Sequence, residues 1–364
     1  MENNNYYKYV SNDEFGTVYI VLPNSEKGFN CGYSLFIPTG CNIDTTLLVH
    51  CCNTGGYGVT NGVLDNSKLV IHLDEANEAA KISSLGGHLN YGYELKIPVL
   101  TPLIPRVQGY DTHFFGSRVY NNDISYLVED NNKRNKKDKL SDEEIIQIKE
   151  QCRDLPNQVA CMIMDANKLL LQMGISVDEK VIIEGYSAGS KFASGFTLIH
   201  PELVKVCICG GNSGISNLPL AKFNNQKLNY PLGVADVKNF NFGLYSSIPK
   251  YYYIGSSDYN DPAKTIGEII DGMMSPLYEG CYTKEEVTFI NTKLGTDVQN
   301  RFDNLSMIYS NLGINATFHK FDGNHKTAEG KDNNSEVFRS VCNFINTILN
   351  NEKTHESSDL NKVN

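Results

Sequence analysis

The sequence predicts an α/β protein with a mostly parallel central sheet covered by helices on both faces, and three observations support this prediction. Short β-branched and apolar runs alternate with longer runs of helical period, which is typical of a parallel sheet. Two apolar runs joined by a polar turn come first and predict an antiparallel hairpin. A Gly-x-Ser-x-Gly pentapeptide, residues 185–189, stands at one strand-to-helix junction.

The elements follow one another within a chain of 364 residues, which is long enough to bury a large core. The predicted strands are 17–23 and 32–38, which form the hairpin, and then 45–50, 96–103, 180–184, 204–209, 251–255 and 316–321. Helices are predicted from Ser141 to about 155, and at 157–173, 190–200, 262–274, 298–312 and 336–349. We therefore expect a single domain over residues 1–350, followed by a polar tail, 351–364, that we expect to be disordered.

Two stretches, near 105–155 and 212–248, are too long for simple connections and are candidate cap-like insertions. The second leaves the sheet at the edge where the pentapeptide lies, so it could cover a site there. The alternative is that its apolar side chains only extend the core. These side chains are Leu218, Leu220, Phe223, Leu228, Phe240, Phe242 and Leu244.

Composition excludes several partner classes. The net charge of −10 argues against nucleic acid and anionic membrane surfaces, and the basic cluster 133–139 is typical of a solvated loop. No apolar stretch approaches membrane-spanning length. The first residues lack the positive start and apolar run of a secretory signal, so we expect a cytoplasmic protein.

The ten cysteines are spread through segments that look like core, and we expect them to be reduced and mostly buried. Cys207 and Cys209 alternate along a strand and should share one face. No Cys/His partner pair stands at zinc spacing, so we expect neither a metal nor a cofactor.

Ser187 is the candidate nucleophile because a strand precedes it and a helix follows it. A sharp turn there requires small flanking residues, which Gly185, Ala188 and Gly189 provide. The serine oxygen then stands at a helix N-terminus, where the amides favour negative charge. The alternative is an ordinary tight turn in which the serine caps the helix.

A nucleophilic serine needs a base and a carboxylate that orients the base. His325 lies in a loop after the last predicted strand and is the candidate base; a local structural hydrogen bond is its alternative role. Asp258 directly follows the strand 251–255 and is the candidate acid. Asp261 is the second choice, because its place before a proline suits a helix start, and Asp322 is too near His325 in sequence.

A tetrahedral oxyanion also needs two backbone donors. The amide of Ala188, the residue after the nucleophile, is the first candidate. The second should come from the loop after the strand 45–50, where Cys52 is the first choice and Cys51 the alternative. Only the backbone amides are needed for this role. The thiol side chains are equally well explained as buried packing groups.

At these residues the sequence resembles the α/β-hydrolase superfamily, in particular esterases of the polyhydroxybutyrate-depolymerase and feruloyl-esterase type. The resemblance rests on His50-Cys51-Cys52, on the pentapeptide 185–189, on His200-Pro201-Glu202 with the following strand, and on 255–258 with His325. It extends over roughly residues 30 to 350. Cys51 stands where these esterases usually have a glycine.

The resemblance implies a serine esterase that acts on a small-molecule ester through Ser187, His325 and Asp258, without a cofactor. It carries no information about the acyl or alcohol group or about the oligomeric state. A peptidase or amidase on the same fold, and a hydrolase-like binding protein without catalysis, are the two alternatives.

Overall fold

The computed structural model describes residues 7–12, 14–51, 88–104, 141–212, 217–261, 263, 269–270, 273–274, 284–325 and 335–360. Within them it confirms the predicted α/β-hydrolase fold, with a central sheet of nine strands. The part of insertion 105–155 that precedes residue 141 lies outside the described residues.

The described strands and helices alternate along most of the chain. The strands are β1 Tyr7–Asn12, β2 Gly16–Val21, β3 Tyr33–Pro38, β4 Asp44–Thr45, β5 Leu48–Cys51, β6 Val99–Pro102, β7 Ser176–Val177, β8 Val181–Tyr186, β9 Val204–Gly210, β10 Lys222–Phe223, β11 Gln226–Lys227, β12 Lys250–Gly255, β13 Ile269–Ile270, β14 Met273–Met274 and β15 Ala316–Phe321. The helices are α1 His88–Leu95, α2 Asp142–Gln151, α3 Leu155–Gln172, α4 Ala188–Ile199, α5 Phe242–Ser247, α6 Lys284–Phe289, α7 Val298–Asn311 and α8 Glu336–Leu360.

The central sheet has the order β1-β2-β3-β6-β5-β8-β9-β12-β15. The first four strands pair antiparallel, with β2 and β3 forming the predicted hairpin. From β6 onward every neighbouring pair is parallel. The carboxyl ends of β5, β8, β9, β12 and β15 therefore meet at one edge of the sheet, where loops after parallel strands form binding sites.

The sheet is buried on both faces. Along β8, Val181 and Ile183 point into a core shared with α3, α4 and α7, while Ile182 and Tyr186 point into a core shared with α1 and α8. The opposite directions follow from the two-residue period of a strand. Every residue of β8 is buried, which fixes the strand that leads to Ser187.

Two expectations about the C-terminal part are wrong. A helix was expected at 262–274, but β13 and β14 pair there as an antiparallel ribbon. The sequence between them is Asp-Gly, which two-residue hairpins favour and which competes with helical period. Helix α8 also continues to Leu360, well into the tail expected to be disordered, because residues 351–360 contain no Pro or Gly that would stop it.

The segment 217–237 packs into the main core. Leu218, Leu228 and Tyr230 are buried there, and a Cβ on Gly195 of α4 would stand 2.4 Å from the Tyr230 hydroxyl. These three side chains therefore extend the core, which is the alternative to a cap that the sequence left open for this insertion.

The end of the same insertion lies away from Ser187. The ring of Phe240 lies 5.8 Å from that of Tyr245 in α5, and the Lys250 ammonium lies 4.1 Å from the same Tyr245 ring. Lys250 begins β12, so this group marks the amino edge of the parallel strands, whereas Ser187 follows the carboxyl end of β8. Phe240 therefore cannot act as a cap residue in this arrangement.

Every helix in the described part of the chain is too short or too polar to span a lipid bilayer. Among the described cysteines, Cys207 and Cys209 share a face as expected, with their sulfur atoms 3.5 Å apart.

Candidate active site

The pentapeptide forms a sharp turn between β8 and α4. Ser187 has φ 55° and ψ −116°, a backbone conformation that L residues rarely adopt. Its N–H donates to the Gly210 carbonyl at 2.8 Å, which ties the turn to the end of β9. A Cβ on Gly185 would stand 2.4 Å from the carbonyl carbon of Gly189, so only glycine fits there.

The structure brings Ser187, His325 and Asp258 together in one hydrogen-bonded chain. Ser187 Oγ lies 3.1 Å from His325 Nε2, and His325 Nδ1 lies 2.6 Å from Asp258 Oδ2. The Asp258 residue is 1% exposed, and the imidazole is 22% exposed. A buried carboxylate at Nδ1 holds the proton on that nitrogen and leaves the Nε2 lone pair facing the serine hydroxyl.

The loops that carry Asp258 and His325 contact each other because they leave adjacent parallel strands, β12 and β15. Ser257 N–H donates to the Gly323 carbonyl at 2.9 Å. A Cβ on Gly255 would stand 2.4 Å from that same carbonyl oxygen, so glycine permits the close approach of the two loops. This contact sets the distance between the carboxylate and the imidazole.

Helix α7 holds the acid loop from the other side. Gln299 Nε2 donates to the carbonyls of Gly255, at 2.8 Å, and Asp258, at 3.1 Å. Asp297 caps this helix by accepting the Asn300 N–H at 2.9 Å. Gln299 was not predicted from the sequence, because nothing in the spacing of a helical glutamine shows that it reaches a loop about forty residues earlier.

Asp261, the second-choice acid, has a different role. It is 1% exposed, and its Oδ1 forms a 2.5 Å ion pair with Arg301, which is completely buried. Arg301 also donates to Asn291 Oδ1 at 2.7 Å and to the Gly295 carbonyl at 2.8 Å. The expectation that Asp261 merely starts a helix missed this partner. The buried pair fixes the end of the acid loop to α7.

Tyr186, the residue before the serine, contacts the His325 loop. Its hydroxyl donates to the His325 backbone carbonyl, and its ring lies 5.1 Å from the imidazole. Gly210 and Gly211 make room for this ring, since a Cβ on either would come within 2.7 Å of it. The strand that leads to Ser187 therefore also positions the backbone of His325.

Asn260 is a further polar group in the site that the sequence analysis did not identify. Its backbone N–H donates to Asp258 Oδ1 at 2.9 Å, and its side-chain Nδ2 lies 3.0 Å from His325 Nε2. The residue is exposed, although its neighbour Asp258 is buried. The only signal that could have indicated it is its place two residues after the candidate acid.

The candidate oxyanion donors are placed in part. Ala188 is the first residue of α4, so its amide belongs to the helix N-terminus beside Ser187. Cys51 is the last residue of β5 and pairs with Gly185. Cys52, the first choice for the second donor, lies outside the described residues.

A buried His-Glu pair lies on β5 and β8, the two strands that lead to the candidate oxyanion turns. His50 Nδ1 is 2.6 Å from Glu184 Oε2, and the two residues are register partners on β5 and β8. Burial raises the pKa of Glu184 from 4.5 to about 8 and lowers the pKa of His50 from 6.5 to about 3. Both pKa shifts favour a neutral, hydrogen-bonded pair over an ion pair. The pair links β5 to β8.

Across the described residues, no group of three or more His, Cys, Asp or Glu side chains is arranged to hold a metal ion.

Comparisons with known proteins give structural likenesses only. No protein-family model and no curated protein matches the chain. Poly(aspartic acid) hydrolase-1 from Sphingomonas sp. KT-1 is 14% identical with a TM-score of 0.45, covering 82% of this chain and 90% of its own. LpqC, a poly(3-hydroxybutyrate) depolymerase from Bordetella parapertussis, is 12% identical with a TM-score of 0.45, covering 86% of this chain and 85% of its own.

A third similar structure is an S-formylglutathione hydrolase from Agrobacterium tumefaciens, which is 12% identical with a TM-score of 0.39. The match covers 87% of this chain and 92% of the hydrolase.

We predict that Asp261→Asn destabilises the protein by about 3–5 kcal/mol, because it leaves the Arg301 guanidinium buried without an opposite charge. Urea unfolding would measure this. Asp303→Asn is the matched control. Asp303 lies on the same helix as Arg301 and pairs with Lys320 of β15, but it is 60% exposed, so the substitution should change stability by less than about 1 kcal/mol. Equal effects of the two substitutions would contradict the structural role of Asp261.

We also predict that stability falls as the pH rises from 6.5 to 8. In the folded protein the His50-Glu184 pair keeps one proton up to about pH 8, whereas in the unfolded chain both groups have lost theirs above pH 6.5. The folded state therefore binds more protons in this window, and raising the pH favours unfolding.

The substitution that tests this is Glu184→Gln, which keeps a hydrogen-bonding side chain but cannot titrate. Its free energy of unfolding should lose the decline between pH 6.5 and 8. Glu202→Gln is the control, because Glu202 contacts His200 at 3.0 Å but is 56% exposed. If the decline persists in Glu184→Gln, another group causes it.

Proposed function

We propose that this chain is a serine hydrolase that cleaves a carboxylic ester of a small molecule through an acyl-enzyme intermediate. The observation that supports this is the hydrogen-bonded chain from Ser187 through His325 to Asp258, with distances of 3.1 and 2.6 Å, at a strained strand-to-helix turn. A capping serine in an ordinary turn would need neither the strain nor the imidazole.

In the first half of the reaction, His325 Nε2 takes the proton of the Ser187 hydroxyl while the oxygen attacks the ester carbonyl carbon. Asp258, hydrogen-bonded to Nδ1, stabilises the imidazolium that forms. The carbonyl oxygen becomes an oxyanion, and we assign its stabilisation to the backbone amides of Ala188 and of Cys52, with Cys51 as the alternative.

The tetrahedral intermediate then loses its alcohol. His325 Nε2 returns the proton to the departing oxygen, the carbon–oxygen bond breaks, and the acyl group remains on Ser187. Water enters, gives a proton to Nε2 and attacks the acyl carbon. The bond between Ser187 Oγ and the acyl carbon then breaks, and Nε2 returns its proton to Oγ, which releases the carboxylic acid and restores the serine. Protons balance in both halves, and the chemistry requires no cofactor.

Two other functions remain alternatives to the ester hydrolase. A peptidase or amidase would use the same three residues but must protonate an amine leaving group. A non-catalytic binding protein would have no need for the short Asp258–His325 contact. Side-by-side rates on an ester and an amide with the same acyl group separate the enzymes, and turnover of either separates both from a binding protein.

We predict that Ser187→Ala lowers kcat on an aryl ester by about 10³-fold or more, and that Asp258→Asn lowers it by about 10³–10⁴-fold. The first removes the nucleophile, and the second allows the wrong imidazole tautomer. Steady-state kinetics and melting temperature should be measured together, with the exposed Ser256→Ala as control. Near-wild-type turnover in Ser187→Ala would contradict the nucleophile assignment, and unchanged turnover in Asp258→Asn would contradict the role of the acid.

A further inference from the structure

Two hydrogen-bond donors converge on one lone pair in the candidate active site. Ser187 Oγ lies 3.1 Å and Asn260 Nδ2 lies 3.0 Å from His325 Nε2. With the Nδ1 proton held by Asp258, Nε2 is an acceptor with a single in-plane lone pair, which cannot accept two well-aligned hydrogen bonds. The Asn260 contact must therefore weaken when Ser187 transfers its proton.

The Asn260 amide lies where the departing oxygen of the substrate must come. The departing oxygen receives its proton from Nε2, so it must come within hydrogen-bond distance of that atom. Asn260 Nδ2 already lies at that distance, and the residue as a whole is exposed. An entering substrate therefore places its alcohol portion, rather than its acyl portion, against the Asn260 amide.

We propose that Asn260 is the residue that recognises the alcohol portion of the substrate, an inference that rests on the proposed ester hydrolysis. Displaced from Nε2, its amide donates to an oxygen of the alcohol portion close to the ester bond. The preferred substrates are esters of alcohols that carry a second hydrogen-bonding oxygen, such as hydroxyalkyl esters, over esters of simple alkyl alcohols.

The backbone of Asn260 is held independently of its side chain. Its N–H donates to Asp258 Oδ1 at 2.9 Å, and any residue other than proline retains that bond. A substitution of the side chain therefore leaves the acid loop and the buried Asp258 in place. Leucine has nearly the shape of asparagine without its hydrogen-bonding groups, so Asn260→Leu isolates the amide.

The test compares kcat/KM for 2-hydroxyethyl butyrate and ethyl butyrate. Both esters give the same acyl-enzyme, so the ratio of their kcat/KM values reports only on the alcohol portion during acylation. The wild-type protein should favour the hydroxyethyl ester, and Asn260→Leu should reduce that ratio about five- to tenfold, the effect of one neutral hydrogen bond. Ser257→Ala, which removes an exposed polar group from the same loop, is the control and should keep the wild-type ratio.

A ratio that stays within about twofold of the wild-type value in Asn260→Leu would overturn the inference, and so would an equal fall in Ser257→Ala. In either case hydrolysis by the wild-type protein would leave the proposed function standing. A wild-type protein that hydrolyses neither of these esters nor an aryl ester would overturn the proposed function together with the inference.

Discussion

The strained backbone of Ser187 is the constraint on which the rest of the site depends. A residue at φ 55° and ψ −116° keeps that conformation only if its surroundings impose it, at a cost of about 1–3 kcal/mol. The fully buried strand β8 supplies the rigidity, and the hydrogen bond from Ser187 N–H to Gly210 fixes the turn against β9. The turn then directs the serine oxygen away from the sheet, where the imidazole can reach it.

Strand β8 and the residue directly after it contribute three side chains to the site. Glu184 contacts His50 below the two turns, Tyr186 holds the backbone of His325, and Ser187 presents the hydroxyl. Glu184 and Tyr186 point to one face of the sheet because they are two residues apart. A change in the position of β8 would therefore move Ser187, the candidate nucleophile, and the backbone of His325, the candidate base, together.

Asp258 and Asp261 are close in sequence but have different roles, because different side chains face their carboxylates. Asp258 meets an imidazole that can accept and release a proton, whereas Asp261 meets the permanently charged Arg301. Both carboxylates are almost completely buried, and neither would be stable there without its partner. Helix α7 supports the loop at both points, through Gln299 and through Arg301.

The sequence predicted the elements whose signals are local. The apolar periods placed the parallel strands, and the order of serine, aspartate and histidine after three of those strands indicated which side chains meet at one edge. It did not predict contacts between distant residues: Arg301 lies forty positions beyond Asp261, and Gln299 and Asn260 belong to no recognisable motif. The prediction of a helix at 262–274 was wrong because it gave the apolar period more weight than the Asp-Gly turn signal.

The packing of residues 217–237 into the core could not be predicted from the sequence, because it depends on contacts with α4, a helix that comes earlier in the chain.

Covalent labelling with a fluorophosphonate tests the central claim most directly, because the reagent reacts with a serine only when a base activates it. Intact-protein mass spectrometry should show a single adduct, and peptide mapping should place it on Ser187. Asp258→Asn should label far more slowly than the wild-type protein, while Asp261→Asn, under conditions where it is folded, should label at a rate close to that of the wild type. No adduct, an adduct on another serine, or equal labelling of the wild type and Asp258→Asn would contradict the account.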